Sequence, residues 1–170
     1  MDDPLRDVAS LIAAVGTVGA FIVGGVQIAI ERRRRKTDAL RAQAERVSAW
    51  LLNDTTGALL NRSDEPVYRV VVWVVFIQGA GPRTGEERSK HDSTAQTLAL
   101  LPPGRYRTEV DGVDYGMSLV PSMEVAFSDV RGRHWIRRAT GELVKIKRDP
   151  LAHYGLSEPQ PWIIPTPENL

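Results

Sequence analysis

The sequence of 170 residues contains no cysteine. This absence excludes a disulfide-bonded scaffold, a zinc site with cysteine ligands, an iron–sulfur cluster and a thiol nucleophile. Aromatic residues make up only 6%, and neither sign of charge dominates, because 22 Lys and Arg stand against 21 Asp and Glu. The resulting net charge of +1 argues against a generally basic nucleic-acid binder.

Motifs for catalysis or metal binding are also lacking. The three histidines, His91, His134 and His153, have no ligand spacing such as H-x-x-x-H, and no G-x-S-x-G elbow is present. The segment GAGPRTG at 79–85 looks like a phosphate loop, but the Gly-Lys-Ser/Thr that should follow is missing, and no helix is expected to open there. We therefore predict no enzymatic activity, no cofactor, no metal and no small-molecule substrate, and we interpret 79–93 as a mobile polar hairpin loop.

A long uncharged stretch is the most distinctive feature that is present. Residues 8–30, VASLIAAVGTVGAFIVGGVQIAI, follow a short acidic N-terminus at 1–7. A helix of this length spans about 34 Å, slightly more than the ~30 Å hydrocarbon core of a bilayer. We predict a transmembrane helix over 8–30, with a buried core helix as the alternative. A cleaved signal peptide fits less well, because its leading region would be basic and its apolar core shorter.

Charge is distributed asymmetrically around this stretch. Residues 31–46 hold seven Lys and Arg against three Asp and Glu, whereas only Arg6 precedes the span. The positive-inside rule predicts a single-pass protein of the inner (plasma) membrane, with the N-terminus outside and the C-terminal domain in the cytoplasm. Nucleic-acid binding or nuclear import is the alternative for the basic run. The side chains expected to contact lipid headgroups are Arg32, Arg33, Arg34, Arg35 and Lys36.

Helical spacing continues beyond the basic run, and no Gly or Pro interrupts residues 26–56. We predict a basic helical stalk over 31–53, whose apolar seam packs either on the following domain or on a second protomer. The seam consists of Leu40, Ala44, Val47 and Leu51. Within the predicted span, the small residues that would let two helices pack closely are Gly16, Ala20 and Gly24.

Residues 54–149 show strand patterns. The segment 67–78, VYRVVVWVVFIQ, is apolar at both parities, which is typical of a strand covered on both faces. With the shorter alternating segments that follow, it predicts about seven strands in an all-β antiparallel sandwich of immunoglobulin or fibronectin-III type. One face of this strand would be core, and the stalk helix or a second protomer would cover the other. Residues 150–170 are Pro-rich and predict an extended tail.

Five arginines in two loops form a candidate partner surface. Bases beside an aromatic residue, here Trp135, can bind an acidic partner or a nucleic-acid strand. The alternative is that these arginines keep a strand face soluble and pair with Glu124 or Glu142. The five are Arg83, Arg88, Arg131, Arg133 and Arg137.

The order of several motifs resembles a group of membrane-anchored β-sandwich proteins from GC-rich Gram-positive (actinobacterial) genomes. The motifs are NRSDEPVY at 61–68, LPPG at 101–104, VAFSDVRGRHWIRR at 125–138 and GEL at 141–143. The resemblance implies a cytoplasmic, membrane-tethered sandwich and no particular activity.

Together these features predict a non-enzymatic, membrane-tethered cytoplasmic interaction module. Its protein partner would bind through the loop at 79–93 and the hairpin around Gly132. One alternative is a structural homo-oligomer assembled through the membrane helix and the stalk. A weaker alternative is a nucleic-acid-associated membrane protein.

Overall fold

The computed structural model describes Gln27, Glu31 and residues 41–90, 95–110, 118–158 and 165–168. The chain divides into two compact units, Met1–Arg41 and Ala42–Leu170. In the first unit, the described residues Gln27, Glu31 and Arg41 are helical. The second unit contains the strands.

The sequence features that predict a membrane anchor fall largely outside this description. Apart from Gln27, the predicted transmembrane helix over 8–30 lies outside the described residues, as does the basic run at 32–36. The same holds for the small residues Gly16, Ala20 and Gly24. Of the helices that the structure does describe, none is long and apolar enough to cross a membrane.

The described part of the second unit contains nine strands, two short helices and the helical residues 42–45 that precede the first strand. The strands are β1 (Val47–Leu51), β2 (Thr56–Asn61), β3 (Val67–Gln78), β4 (Gln96–Leu101), β5 (Gly104–Glu109), β6 (Val120–Ser128), β7 (His134–Arg137), β8 (Leu143–Ile146) and β9 (Thr166–Pro167). The helices are α1 (Gly85–Arg88) and α2 (Pro150–Tyr154).

The strands form two antiparallel sheets. One sheet has the order β1-β2-β5-β9 and the other β4-β3-β6-β7-β8. The main apolar core lies between them, because it combines side chains of the first sheet, such as Leu59 and Tyr106, with side chains of the second, such as Val72 and Phe127. The predicted antiparallel β-sandwich is therefore confirmed.

Strand β3 has the bounds expected from the sequence, and its two apolar faces have different neighbours. Val70 and Val72 face the core between the sheets. Val71, Trp73 and Val75 face outward and pack with Leu151 and Tyr154 of α2. Helix α2 therefore covers much of the outer face, and the expectation that the stalk or a second protomer covers it is wrong for this region.

The predicted stalk over 31–53 is wrong in its last part. Residues 41–45 are helical, but Val47–Leu51 form β1, which pairs antiparallel with β2 from Val47↔Asn61 to Leu51↔Gly57. The free edge of β2 decides this outcome, since it gives the backbone of β1 a regular set of hydrogen-bond partners. Val47 still packs in the core, as its place in the seam suggested, but it does so from a strand.

The predicted extended tail over 150–170 begins instead with helix α2. Asp149 is its N-cap and accepts a hydrogen bond from the Ala152 N–H at 3.2 Å, and Pro150 occupies the first turn, where proline is tolerated. Gly155 ends the helix in the left-handed region with φ 70°. Further on, Thr166–Pro167 pairs with β5 as a short edge strand.

Candidate protein-interaction site

The hairpin between β6 and β7 is built around the buried carboxylate of Asp129. Its Oδ1 accepts from the backbone N–H groups of Arg131 and Arg133 at 2.9 and 3.0 Å. Its Oδ2 accepts from Arg133 Nε at 2.7 Å and from Trp135 Nε1 at 3.1 Å. Burial raises the pKa of Asp129, but these bonds outweigh it, so that the pKa lies below its ordinary value. Four hydrogen bonds to one charged group make the hairpin a rigid platform.

A second buried carboxylate, Glu124 of β6, lies at the centre of a polar cluster on the outer face of the second sheet. Its side chain is fully buried, and its Oε1 accepts from the Gly85 N–H and from the Tyr154 hydroxyl, both at 2.9 Å. Its Oε2 lies 2.8 Å from Arg138 Nη1. Every one of these partners comes from a different segment of the chain, so this carboxylate joins β6 to both short helices.

Arg138 also binds Glu86 of α1 through both terminal nitrogens. The Nη1–Oε2 distance is 2.6 Å and the Nη2–Oε1 distance is 2.9 Å. His153 Nε2 lies 3.0 Å from the same Oε1 of Glu86. The five side chains Glu86, Glu124, Arg138, His153 and Tyr154 are called the Glu124 cluster below.

The electrostatics of the Glu124 cluster favour a charged Glu86 and a neutral Tyr154. Burial raises the pKa of Glu86, but hydrogen bonds from Arg138, His153 and its own backbone N–H lower it to about 2. Hydrogen bonding to Glu86 raises the pKa of Arg138 above its usual range. Burial and the charge of Glu124 raise the pKa of Tyr154 well above its usual range. The tyrosine therefore acts as a hydrogen-bond donor that keeps its proton.

The Glu124 cluster holds helices α1 and α2 against the outer face of the second sheet. It binds α1 through Gly85 and Glu86 and α2 through His153 and Tyr154, and Tyr154 packs edge-on against Trp73 with ring centroids 5.6 Å apart. The described part of the 79–93 loop, up to residue 90, is thus held by helix α1 and its bonds. Our interpretation of this loop as a segment without a helix is wrong, because Thr84 caps a short helix there.

An open groove of about 490 Å³ lies on the other side of the Asp129 hairpin, beside β8. We call it the basic groove. It is lined by Gly132, Arg133, His134, Lys145, Ile146 and Lys147. Lys145 and Lys147 are exposed, as is Arg131, which adjoins the lining residue Gly132. None of these three cations makes an ion pair within the described part of the chain. The groove therefore presents uncompensated positive charge.

The five arginines predicted as a partner surface make different contacts and come from two segments of the chain. Arg83 donates to the carbonyl oxygens of Ile77 and Gly79 at 2.6 and 3.2 Å, which holds the start of its own loop. Arg88 ends helix α1 and is half-buried. Both belong to the α1 side of the molecule, away from the Asp129 hairpin in the chain.

The three remaining arginines belong to the hairpin and have different roles. Arg137 donates to the carbonyl oxygens of Ala44, Glu45 and Val47, at 3.2, 2.9 and 3.3 Å. Arg133 pairs with Asp129 and keeps only 14% of its side-chain surface exposed. Arg131 alone of the three is exposed. The structure therefore keeps the hairpin as a candidate surface but assigns Arg137 a structural role.

Trp135 is not available as a stacking platform. Its side chain is 3% exposed, packs in the core between the sheets and donates its Nε1–H to Asp129. Binding of single-stranded nucleic acid without sequence preference uses exposed aromatic rings on which bases stack. The arginines beside Trp135 suggested a site for a nucleic-acid strand, but Trp135 is a core residue that donates a hydrogen bond to Asp129 of its own hairpin.

Lys145 and Lys147 are not among the site residues predicted from the sequence, because they come after the arginine-rich hairpin in the chain and do not lie within it. The signal was present in LVKIK at 143–147, where two lysines alternate with apolar residues beside a turn.

Within the described ranges, no group of three or more His, Asp or Glu side chains could hold a metal ion. No protein-family model, characterised protein or solved structure matches the chain.

Proposed function

We propose that the chain is a membrane-tethered interaction module whose β-sandwich binds a protein partner at the basic groove. The observation that carries the proposal is the set of exposed cations, Arg131, Lys145 and Lys147, beside a hairpin that Asp129 makes rigid. Charges without partners at a preformed surface steer and select an oppositely charged partner. The buried charged side chains elsewhere in the sandwich are paired with one another, so they offer little charge to a ligand.

The tether rests on the sequence. The uncharged residues 8–30 are long enough for one bilayer crossing, and the basic run at 32–36 is where anionic headgroups would lie. The charge asymmetry favours an external N-terminus and a cytoplasmic sandwich. A reporter enzyme that works only in the cytoplasm, fused after Leu170, is expected to be active. Activity of a reporter that works only outside the membrane would contradict this orientation.

The finer fold type that we propose is immunoglobulin-like or fibronectin-III-like. Support comes from the order of pairing, because β1-β2-β5 in one sheet and β4-β3-β6-β7 in the other follow the A-B-E and C′-C-F-G arrangement of such sandwiches. Strands β8 and β9 are additions at the sheet edges. Domains of this architecture commonly present partner-binding surfaces on loops and sheet edges, which agrees with the position of the basic groove.

Position-dependent photo-crosslinking in membranes tests partner binding. A photo-reactive amino acid replaces His134 or Ile146, which line the basic groove but are not among its exposed cations, and in a control chain it replaces Leu52, which is exposed in the turn between β1 and β2. We expect one distinct crosslinked protein from the two groove positions and none from position 52. Equal labelling from all three positions, or none from any, would contradict the proposal. A product with twice the mass of the chain would favour a homo-oligomer instead.

A further inference from the structure

Strand β8 is the last strand of its sheet within the described residues. It pairs with β7 along one side through the partners His134↔Ile146, Trp135↔Lys145, Ile136↔Val144 and Arg137↔Leu143. The described residues contribute no strand on its other side. Such an edge can offer backbone groups to an incoming chain. In β8 the relevant groups are those of Lys145, because Leu143 already has an interaction of its own.

The backbone groups that β8 offers can be assigned. The Arg138 N–H donates to the Glu142 carbonyl at 2.8 Å, so this pair next to the turn is a hydrogen-bonded one. Antiparallel partners alternate between hydrogen-bonded and non-bonded pairs, which makes Ile136↔Val144 bonded and Trp135↔Lys145 non-bonded. The N–H and C=O of Lys145 therefore point away from β7, and neither has a backbone partner in the described part of the chain.

The side chains beside this edge repeat with the period of a strand. Lys145 lies within β8 and Lys147 follows it directly, and both line the basic groove. Ile146 lies between them and packs toward the outer apolar cluster. A strand added at this edge would place every second side chain next to the lysines and the others next to Ile146. The matching segment alternates acidic and apolar residues.

We propose that an extended acidic segment of the partner protein adds to β8 as a further strand, with its carboxylates beside Lys145 and Lys147. This inference rests on the proposed function and specifies the chemistry of the partner at the same groove. It combines the two observations that the groove provides, unpaired positive charge and an outward-facing backbone N–H and C=O. A nucleic-acid strand would use the charge alone, because Trp135 is buried and Lys145 would keep its backbone groups unpaired.

Fluorescence anisotropy with the full chain in detergent micelles tests the inference. The probe is a labelled peptide of about ten residues that alternates Glu and Val, the length of a typical added strand. The control probes are the same peptide with Lys in place of Glu, a peptide with the same Glu and Val residues in two blocks, and an oligothymidylate of similar length. We expect the alternating acidic peptide to bind about tenfold more tightly than each control.

Two substitutions at one position separate backbone pairing from charge. Lys145→Pro removes both the charge and the outward N–H while leaving the hydrogen bonds to β7, and Lys145→Ala removes the charge alone, so the difference between the two variants reports the N–H. We expect a loss of about tenfold in peptide affinity for the proline variant and about threefold for the alanine variant. Hydrogen exchange at the Lys145 amide of the unmodified protein gives a second measurement, since the added strand should slow it, and this result does not depend on how the proline variant folds.

The outcomes distinguish failure of the inference from failure of the proposed function. Equal affinity of the proline and alanine variants, together with unchanged exchange at Lys145, would overturn strand addition while leaving partner binding at the groove in place. Failure of the acidic peptide to bind, alongside crosslinking of a partner from position 146, would overturn the acidic segment alone. Tighter binding of the oligothymidylate would overturn both the inference and the proposed function.

Discussion

Two charged regions of the same sheet differ in what their charges contact. In the Glu124 cluster, on the outer face, both carboxylates and the arginine are bonded to one another and to the segments that cover them. At the basic groove, beside β8, the lining residues Lys145 and Lys147 and the adjoining Arg131 are exposed and make no ion pair within the described residues. Charged residues that stabilise a fold and charged residues that can bind a partner are therefore distinguished here by burial and pairing, not by residue type.

The largest expected effect comes from removing the central carboxylate of the Glu124 cluster. Glu124→Ala leaves the guanidinium of Arg138, the Gly85 N–H and the Tyr154 hydroxyl without an acceptor they now share. We expect the free energy of unfolding to fall by about 3–5 kcal/mol, as for other broken buried pairs. Urea unfolding of the sandwich measures it. Glu124→Gln, which keeps the shape and one acceptor, should lose less. A loss below about 1 kcal/mol for the alanine variant would mean that the cluster contributes little to stability.

The next effect concerns the close approach of α1 to the sheet. A Cβ at Gly85 would lie 2.6 Å from Glu124 Oε1 and would also clash with the indole of Trp73. We expect Gly85→Ala to lower the free energy of unfolding by about 2 kcal/mol, because the helix must move away from both groups. Arg88→Ala, at the other end of the same helix, is the control and should change it by less than about 0.5 kcal/mol. Equal effects of the two variants would show that α1 is not tightly packed at Gly85.

Acid should weaken the Glu124 cluster because it protonates Glu86. Its pKa in the folded protein is about 2, below the ordinary value of 4.5, so its contribution to stability is complete above pH 4.5 and is lost as the pH falls toward 2. We expect the free energy of unfolding to decrease by about 1 kcal/mol over this range on account of Glu86, after allowance for its partial exposure. Urea unfolding at several pH values measures the slope, and Glu86→Gln should make it shallower. An unchanged slope in that variant would assign the acid sensitivity to other groups, among them Asp129, whose pKa is also lowered.

The smallest effect on stability should come from the basic groove, where the effect on binding is largest. Lys147→Ala removes an exposed charge with no ion pair among the described residues, so the free energy of unfolding should change by less than about 0.5 kcal/mol. The same variant should reduce crosslinking of the partner from position 134. A strong loss of stability without a change in crosslinking would show that Lys147 stabilises the fold and does not bind the partner, which would contradict the comparison between the two regions.

The fold could be predicted from the sequence where local pattern and final environment agree. Strand β3 is apolar at both parities and bounded by Pro66 and Gly79, and both of its faces are buried. Strand β1 was missed because the spacing of Ala44 and Val47 suits a helix, and only the edge of β2 makes a strand preferable. Helix α2 differs from the predicted extended tail because that prediction rested on the proline content of 150–170, whereas Pro150 after the Asp149 cap fits the first turn of a helix.

The candidate site was less predictable, because its parts are brought together by pairing over long distances in the chain. Arg138 and Glu86 are 52 residues apart, and no local spacing connects them. The hairpin around Gly132 was identified correctly, but its arginines could not be sorted into bonded and exposed ones without the position of Asp129. Lys145 and Lys147 can be proposed as binding residues only once β8 is known to be an edge strand.

The hydrogen bonds of Arg137 have a mechanical consequence. Val47 is held in the first sheet by its pairing with Asn61, and its carbonyl is held by Arg137 of the second sheet at 3.3 Å. The carbonyls of Ala44 and Glu45, just before it, are held by the same guanidinium. Tension applied to the chain ahead of Ala42 would therefore be shared by both sheets at the point of entry, and β1 could not peel from β2 without also breaking this clamp. Arg137→Ala should accordingly lower the force at which the sandwich begins to unfold when pulled from its N-terminal side.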